Sequence, residues 1–314
     1  MQNFTSVKDV KHLQNLVNKA QNFKIKSLIT NKLDNHKTLG LLFFNPSLRT
    51  RLSTEKAAKN LGINVIILNA NDGWKLEFED GAIMNLDKAE HVKEAAAVLS
   101  QYCDILGVRS FPTLTDKAKD YADFVLNKFI EYATVPIVSL ESAIRHPLQS
   151  LADLVTIKEH QKTAKPKVVL TWAPHPKALP QAVANSFSEW VLAAEYDLTI
   201  VCPKGFELNP AFTDGATISN NQETAFEGAD FIYAKNWSSW KNYGQTLYPN
   251  ESWMINSAKK ALTNNAFFMH CLPVRRNIVV SDSVLDSPNS LVIEQANNRT
   301  FAAQAVLSEI LNHQ

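Results

Sequence analysis

The five residues Ser47-Leu48-Arg49-Thr50-Arg51 follow the apolar run Leu41-Leu42-Phe43-Phe44, and helix-like sequence continues beyond them. Asn45 or Ser47 can cap a helix here, and Pro46 suits its first turn. The free backbone N–H groups and the helix dipole at such an end favour an anion. Ser47 and Thr50 add hydroxyl donors, and Arg49 and Arg51 add planar forks suited to phosphate oxygens. Leu48 and Leu52 stand one turn apart and are expected to anchor the helix on the core. Taken alone, the run would read as a capped helix with solvated arginines.

It does not stand alone. Arg109-Ser110, Glu141, and Arg145-His146-Pro147-Leu148-Gln149 follow later apolar runs. So do His175-Pro176, Lys235-Asn236-Trp237, and His270-Cys271-Leu272-Pro273 with Arg275-Arg276. Pro147 fits the first turn of a helix and leaves His146 at its entrance, where an imidazole can donate to a carbonyl oxygen without a permanent charge. Gln149 offers both an amide donor and an acceptor. Arg275 is suited to clamp a carboxylate. Cys271 admits two readings: a nucleophile activated by nearby arginines, or a buried structural thiol. His270 and Cys271 are adjacent on a strand-like run, so their side chains diverge, and no metal site is expected.

The elements that must position these groups are legible as an alternation. Strand-like runs cover 37–45, 64–70, 103–110 and 135–141, and a second series covers 167–174, 197–203, 230–236 and 266–273. Helical patterns lie between them, as in LRTRLSTEKAAKNLG, AEHVKEAAAVLSQY and LPQAVANSFSEWVLAAEY. Short buried strands alternating with helices predict an α/β protein with two doubly wound parallel-sheet domains. We divide it at 1–150 and 151–298. The sequence leaves open which half the C-terminal helix, about 299–314, packs on, and we group it with the first. In such sheets ligands sit beyond the carboxyl ends of the strands, which is where the groups above fall.

Composition narrows the choices. The chain has 314 residues, with Lys+Arg 32 against Asp+Glu 31. This near-neutral balance gives no support to a nucleic-acid or membrane-surface partner. The three cysteines, Cys103, Cys202 and Cys271, form neither a disulfide framework nor a CxxC pattern. The N-terminus lacks a signal-peptide core and no run is long enough to span a bilayer, so a cytoplasmic protein is expected. The sequons at Asn3 and Asn298 are then chance matches. There is no GxGxxG or GxxxxGK[ST], so the α/β pattern does not imply a nucleotide cofactor.

The ordered set SLRTR (47–51), GVRS (107–110), RHPLQ (145–149), HCLP (270–273) and Arg299 in NNRT resembles the aspartate/ornithine carbamoyltransferase superfamily over nearly the whole chain. The DxxxSMG motif that grips a free α-amino group in ornithine enzymes is absent, and KNW (235–237) and TWAPHPKALPQAV (171–183) stand in its place. The pattern is similar to the N-acylornithine branch, in which an acylated α-nitrogen carries no charge to pair. The resemblance implies that Ser47, Leu48, Arg49, Thr50 and Arg109 hold the phosphate of carbamoyl phosphate. It implies that Trp74 completes the pocket from a neighbouring subunit of a homotrimer with shared active sites. His146 and Gln149 would orient the carbamoyl group with Thr50 and Arg109, the Cys271–Leu272 backbone would hold its NH2, and Arg299 would add to the site. Glu141, His175, Lys235 and Arg275 would position the acylornithine. The resemblance also implies a cofactor-free reaction, a place in arginine biosynthesis, and a backbone knot near 174–182.

Acyl choice, by the same resemblance, turns on NLDKAEHVKE: acetyl enzymes place glutamate just before EH, and succinyl enzymes place proline there. This chain has Ala89, then Glu90. Alanine leaves room and adds no charge to repel a succinyl carboxylate, which favours N-succinyl-L-ornithine. A one-residue shift would bring in Glu90 and favour N-acetyl-L-ornithine. Another amine acceptor and a non-catalytic sensor of a phosphorylated metabolite are the remaining readings.

Overall fold

The computed structural model describes residues 1–25, 36–70, 74–247 and 250–312. Asp72 and Gly73 of the DGWK segment, and residues 313 and 314 of the expected C-terminal helix, lie outside them. The chain divides into two compact units, Met1–Leu148 with Arg299–Gln314, and Gln149–Asn298. Both are α/β with a parallel sheet.

The first unit carries strands β1 (Thr38–Phe43), β2 (Asn64–Asn69), β3 (Leu76–Glu77), β4 (Glu90–His91), β5 (Ile105–Arg109) and β6 (Ile137–Glu141). Four form a parallel sheet in the order β2-β1-β5-β6, and β3 pairs with β4. Helix α1 (Leu13–Ile25) precedes the sheet, and α2 (Leu48–Asn60), α3 (Val92–Tyr102), α4 (Lys117–Tyr121) and α5 (Phe124–Tyr132) are spaced between strands. Every residue of β5 and β6 is buried, as expected of strands covered on both faces. The chain runs outward from β1 to β2 and then returns to β5 on the other side, so the order reverses between β1 and β5. Ser47 and Arg109 stand at the carboxyl ends of these two strands.

The second unit opens in α6 (Pro147–His160) and carries β7 (Lys167–Trp172), β8 (Asp197–Val201), β9 (Thr217–Ser219), β10 (Phe231–Lys235) and β11 (Phe267–Met269). Their order is β11-β10-β7-β8-β9, so this sheet reverses between β7 and β10. Helices α7 (Ala182–Ala193), α8 (Gln222–Phe226), α9 (Ser257–Lys260), α10 (Asp282–Leu285) and α11 (Val292–Leu311) complete it. The unit boundary falls inside α6 and inside α11. All eight anticipated strands are present, each within a few residues of its expected limits. The edge strand β9 is an addition: its three residues are mostly exposed and offer no apolar run to read.

One expectation is overturned. Leu48 and Leu52 do not anchor α2; they are 69% and 55% exposed. The buried face is Thr50, Thr54, Ala57 and Ala58, a helical stripe of small side chains. Positions two before or two after Thr50 lie about 200° around the helix. Turning Thr50 inward therefore turns both leucines out.

Gly107 lets the sheet of the first unit close. A Cβ there would lie 2.9 Å from Leu41 Cδ2 on β1 and 3.2 Å from Leu140 Cδ2 on β6. Gly107→Val should cost about 1–3 kcal/mol through overpacking, read as a lower denaturant midpoint. An unchanged midpoint would contradict this account of the sheet.

Candidate active site

In the first unit, Ser47 caps α2 by accepting from the Thr50 N–H at 3.3 Å. Asn45 is not the cap; its Oδ1 accepts from the Phe111 N–H at 2.7 Å and ties the loop after β1 to the loop after β5. Arg49 is half-buried on the first turn of α2, and Thr50 is fully buried. The register of β5 against β6 shifts between Val108 and Arg109, which sets Arg109 opposite Glu141. Such an irregularity re-aims a side chain. Arg109 Nη1 donates to Glu141 Oε2, and its guanidinium carbon lies 4.6 Å from the centre of the Phe111 ring. Arg109 Nε is buried without a hydrogen-bond partner among the described residues.

The chemistry converges on one hydroxyl. Thr50 Oγ1 accepts from Arg299 Nη2 at 2.7 Å and from Arg109 Nη1 at 3.4 Å. A hydroxyl has two lone pairs and one proton. With both lone pairs facing guanidinium donors, its proton is left to donate to an acceptor. Arg109 and Arg299 are each only 5% exposed, and Arg109 is paired with the Glu141 carboxylate. His146, also buried, holds Nε2 3.5 Å from Glu141 Oε2. Two buried guanidiniums, a neighbouring imidazole, one carboxylate and a helix start make a seat for a further anion.

Beside this cluster in sequence order, but formed by β3 and β4, lies a second group. Trp74 Nε1 donates to Glu90 Oε2 at 2.9 Å. Ala89 is exposed, and His91 rather than an earlier residue caps α3, so the helix begins later than its pattern suggested. Glu141, expected on the acylornithine, is engaged with Arg109 in this structure.

In the second unit, His175 follows β7 and Lys235 ends β10, on the two sides of the point where the strand order reverses. Asn236 Nδ2 donates to the Ala173 carbonyl at 2.7 Å, tying these two strand ends together. Trp172 Nε1 donates to the Trp237 carbonyl at 2.9 Å, and Gln181 Nε2 to the Ser238 carbonyl at 2.7 Å, so the proline-rich segment is fixed to the segment after β10. Arg275 Nε donates to His175 Nε2 at 3.1 Å. With Nε2 accepting, Nδ1 carries the proton of the neutral ring and faces the Lys177 carbonyl oxygen at 2.9 Å, with the Lys177 nitrogen 3.1 Å away. Burial lowers the His175 pKa first, and the charges of Lys235, Arg275 and Lys177 lower it further, against the Lys177 carbonyl. His175 is therefore neutral beside three cations, an arrangement suited to a carboxylate or amide oxygen.

Cys271 and Leu272 follow β11. Leu272 has φ +56°, a conformation that costs a bulky residue about 1–3 kcal/mol and collects at functional sites. Its N–H donates to His270 Nδ1 at 2.9 Å. Gln149, near the start of α6, is buried, with its amide on Asp153. The other two cysteines are buried, and burial pushes the Cys202 thiol up to about 12, so it is inert as a nucleophile at neutral pH. Sequence reasoning missed Asn236, Gln181, Asp153 and Gln295 as supports. The spacing of Gln149 and Asp153, one helical turn apart, was the available clue.

Two tests follow. Thr50→Val keeps the shape but removes the hydroxyl, and should weaken inorganic phosphate binding by about tenfold or more, the worth of a charge-assisted hydrogen bond, read by calorimetry. Unaltered binding would remove Thr50 from the anion seat. For His175, the unfolded chain takes up its proton at about pH 6.5 while the folded chain resists to lower pH, so stability falls as pH drops through that window. His175→Gln should flatten this part of the stability profile; an identical profile would show that His175 is not the group responsible.

The model for the aspartate/ornithine carbamoyltransferase carbamoyl-P binding domain matches residues 2–159, and that for the Asp/Orn binding domain matches residues 180–310. The N-succinylornithine carbamoyltransferase of Bacteroides thetaiotaomicron is 52% identical over 314 residues, covering 99% of this chain and 99% of its own. The N-acetylornithine carbamoyltransferase of Xylella fastidiosa is 38% identical over 323 residues, covering 95% of this chain and 94% of its own. A crystal structure of N-acetyl-L-ornithine transcarbamylase with a glutamate-to-alanine substitution, complexed with carbamyl phosphate and N-succinyl-L-norvaline, superposes with a TM-score of 0.92 at 37% identity, covering 99% of this chain and 100% of that one. With the motifs, both sheets and both domain models in agreement along its length, the chain belongs to the aspartate/ornithine carbamoyltransferase family.

Proposed function

We propose that this enzyme transfers the carbamoyl group of carbamoyl phosphate to the δ-amine of N-succinyl-L-ornithine, giving N-succinyl-L-citrulline and phosphate. The observation that carries the reading is the Thr50 hydroxyl held between Arg299 and Arg109, in the unit matched by the carbamoyl-P binding model. Ser47, Leu48, Arg49, Thr50, Arg109 and Arg299 hold the phosphate and the carbonyl oxygen. His146 and Gln149 orient the carbamoyl group, and the backbone at Cys271 and Leu272 takes its NH2. Glu141, His175, Lys235 and Arg275 are assigned to the acylornithine.

The reaction balances without a cofactor. The δ-amine attacks as the neutral base, although a free alkylamine is mostly protonated at neutral pH. A nitrogen–carbon bond forms, and the carbonyl oxygen becomes anionic in the tetrahedral intermediate. Arg109, Thr50 and His146 stabilise that charge. The carbon–oxygen bond to phosphate then breaks, and the departing phosphate accepts the proton shed by the amine. Holding both substrates in line supplies much of the acceleration.

The succinyl choice is supported by two features. Ala89 is exposed and uncharged, and Glu90, the competing acidic residue, has its carboxylate on the Trp74 indole. N-acetyl-L-ornithine transcarbamylases with one glutamate replaced by alanine, proline, valine or serine are complexed with a succinyl compound. We propose a homotrimer with Trp74 contributed to a neighbouring site; the exposed apolar side chains of Leu48 and Leu52 on α2 and Ile66 on β2 are available to a subunit interface.

Turnover with carbamoyl phosphate and a panel of amines tests the reading. We expect citrulline-type product with N-succinyl-L-ornithine, and a kcat/KM at least about tenfold above that with N-acetyl-L-ornithine, the scale of one unfavourable charge contact. A strong acetyl preference would overturn the acyl choice, and turnover of aspartate or putrescine alone would replace the acceptor class. Arg109→Ala should lower kcat by about 10²–10³-fold, the loss typical of a donor to a developing oxyanion. Ala89→Glu should shift preference towards the acetyl substrate by placing a like charge near the succinyl carboxylate; an unchanged ratio would acquit this position.

A further inference from the structure

Behind the HCLP segment, the second unit holds a buried polar chain that ordinary packing does not require. Asp153 on α6 is fully buried. Its Oδ1 accepts from Gln149 Nε2 at 2.7 Å and from Gln295 Nε2 at 2.7 Å. Gln295, on α11 and also fully buried, accepts the His270 N–H on its Oε1 at 3.0 Å. His270 Nδ1 in turn accepts the Leu272 N–H at 2.9 Å. Tyr233 on β10 is completely buried; its phenol is raised well above its ordinary value, by burial first and then by Asp153 and Cys271 beside it. One carboxyl oxygen thus links the Gln149 side chain to the backbone of His270-Cys271-Leu272.

We propose that Asp153 and Gln295 are positioning residues for the carbamoyl group. The inference rests on the carbamoyltransferase reading above. An amide side chain has two nearly isosteric ends, and only its partners decide which end faces which way. Asp153 Oδ1 accepts from Gln149, so it fixes Nε2 inward and turns Oε1 the other way, as the acceptor end for a carbamoyl NH2. Through Gln295, the same carboxyl oxygen holds the amide plane of His270, and His270 holds the left-handed Leu272 whose backbone is assigned to the same NH2. Two contacts to one substrate group therefore share a single anchor. A buried carboxyl group is costly unless its hydrogen bonds are made, so the arrangement tolerates little rotation.

The test compares the full-length wild type with Asp153→Ala, Asp153→Asn and Gln295→Met, measuring kcat, KM for carbamoyl phosphate, the Kd of inorganic phosphate, and the unfolding midpoint. Asp153→Ala and Gln295→Met should lose about a hundredfold in kcat/KM for carbamoyl phosphate, the usual result of misplacing a reacting group by about an ångström. Phosphate affinity should stay within about threefold, since phosphate alone has no NH2 to place. Asp153→Asn keeps an acceptor oxygen and should recover most of the activity. Activity of Asp153→Ala within about threefold of wild type would overturn the proposal. So would a parallel loss of phosphate affinity and turnover in all three variants, which marks a folding lesion. Should Asp153→Ala fail to fold, Gln295→Met decides: wild-type kinetics there would overturn the proposal, and a selective turnover loss would sustain it. A wild type that turns over no amine defeats the functional reading itself, and this inference falls with it, an outcome distinct from an active wild type with indifferent variants.

Discussion

Two guanidiniums removed from water and aimed at one hydroxyl form the constraint on which the first unit depends. Arg109 and Arg299 come from a strand end and a helix separated by most of the chain, yet both bond Thr50 Oγ1. Burying two like charges is tolerable only with counter-charge and a full set of hydrogen bonds. Glu141 supplies one negative charge, and Phe111 offers the face of its ring to Arg109. Arg109, Arg299 and the start of α2 together suit an anionic ligand. The small-residue face of α2, the register shift before Arg109 and the closure of β5 over Gly107 all serve to bring these groups to that point.

The second unit solves a different problem. Its site residues lie at the end of β10 and on the loops after β7 and β11, and loops hold a geometry only when their backbone groups are occupied. Here side-chain amides and indoles supply the partners: Asn236 to Ala173, Trp172 to Trp237, Gln181 to Ser238, and Gln295 to His270. The strained Leu272 persists within such a frame. His175 is kept neutral by burial and by the cations around it, so it can accept from Arg275 rather than repel it.

Much of this was legible in the chain. The eight runs that became sheet strands are dense in β-branched and aromatic residues, and their polar terminations marked the ligand-facing ends of both sheets. The anticipated α2 began where Ser47 proved to cap it. Its buried face was misread, because Leu48 and Leu52 are apolar and Thr50 is polar. Hydrophobicity orders residues correctly for a helix that only packs, and incorrectly for one that carries a functional hydroxyl inward. Edge strand β9 was missed for the related reason that an exposed, three-residue strand has no apolar signature.

The sequence by itself determined the α/β alternation, the lack of nucleotide loops, and the ordered motifs that place the chain among the carbamoyltransferases. These depend on residue types and local spacing, which a linear reading preserves. Only the tertiary structure decided which groups meet: that Arg299 reaches Thr50, that Glu141 sits on Arg109, that Glu90 is taken up by Trp74, and that Asp153 joins Gln149 to Gln295. Each is a contact between residues far apart in sequence or one that depends on rotamer and register. The energy of such contacts comes from burial and direction, neither of which is written in the order of the residues.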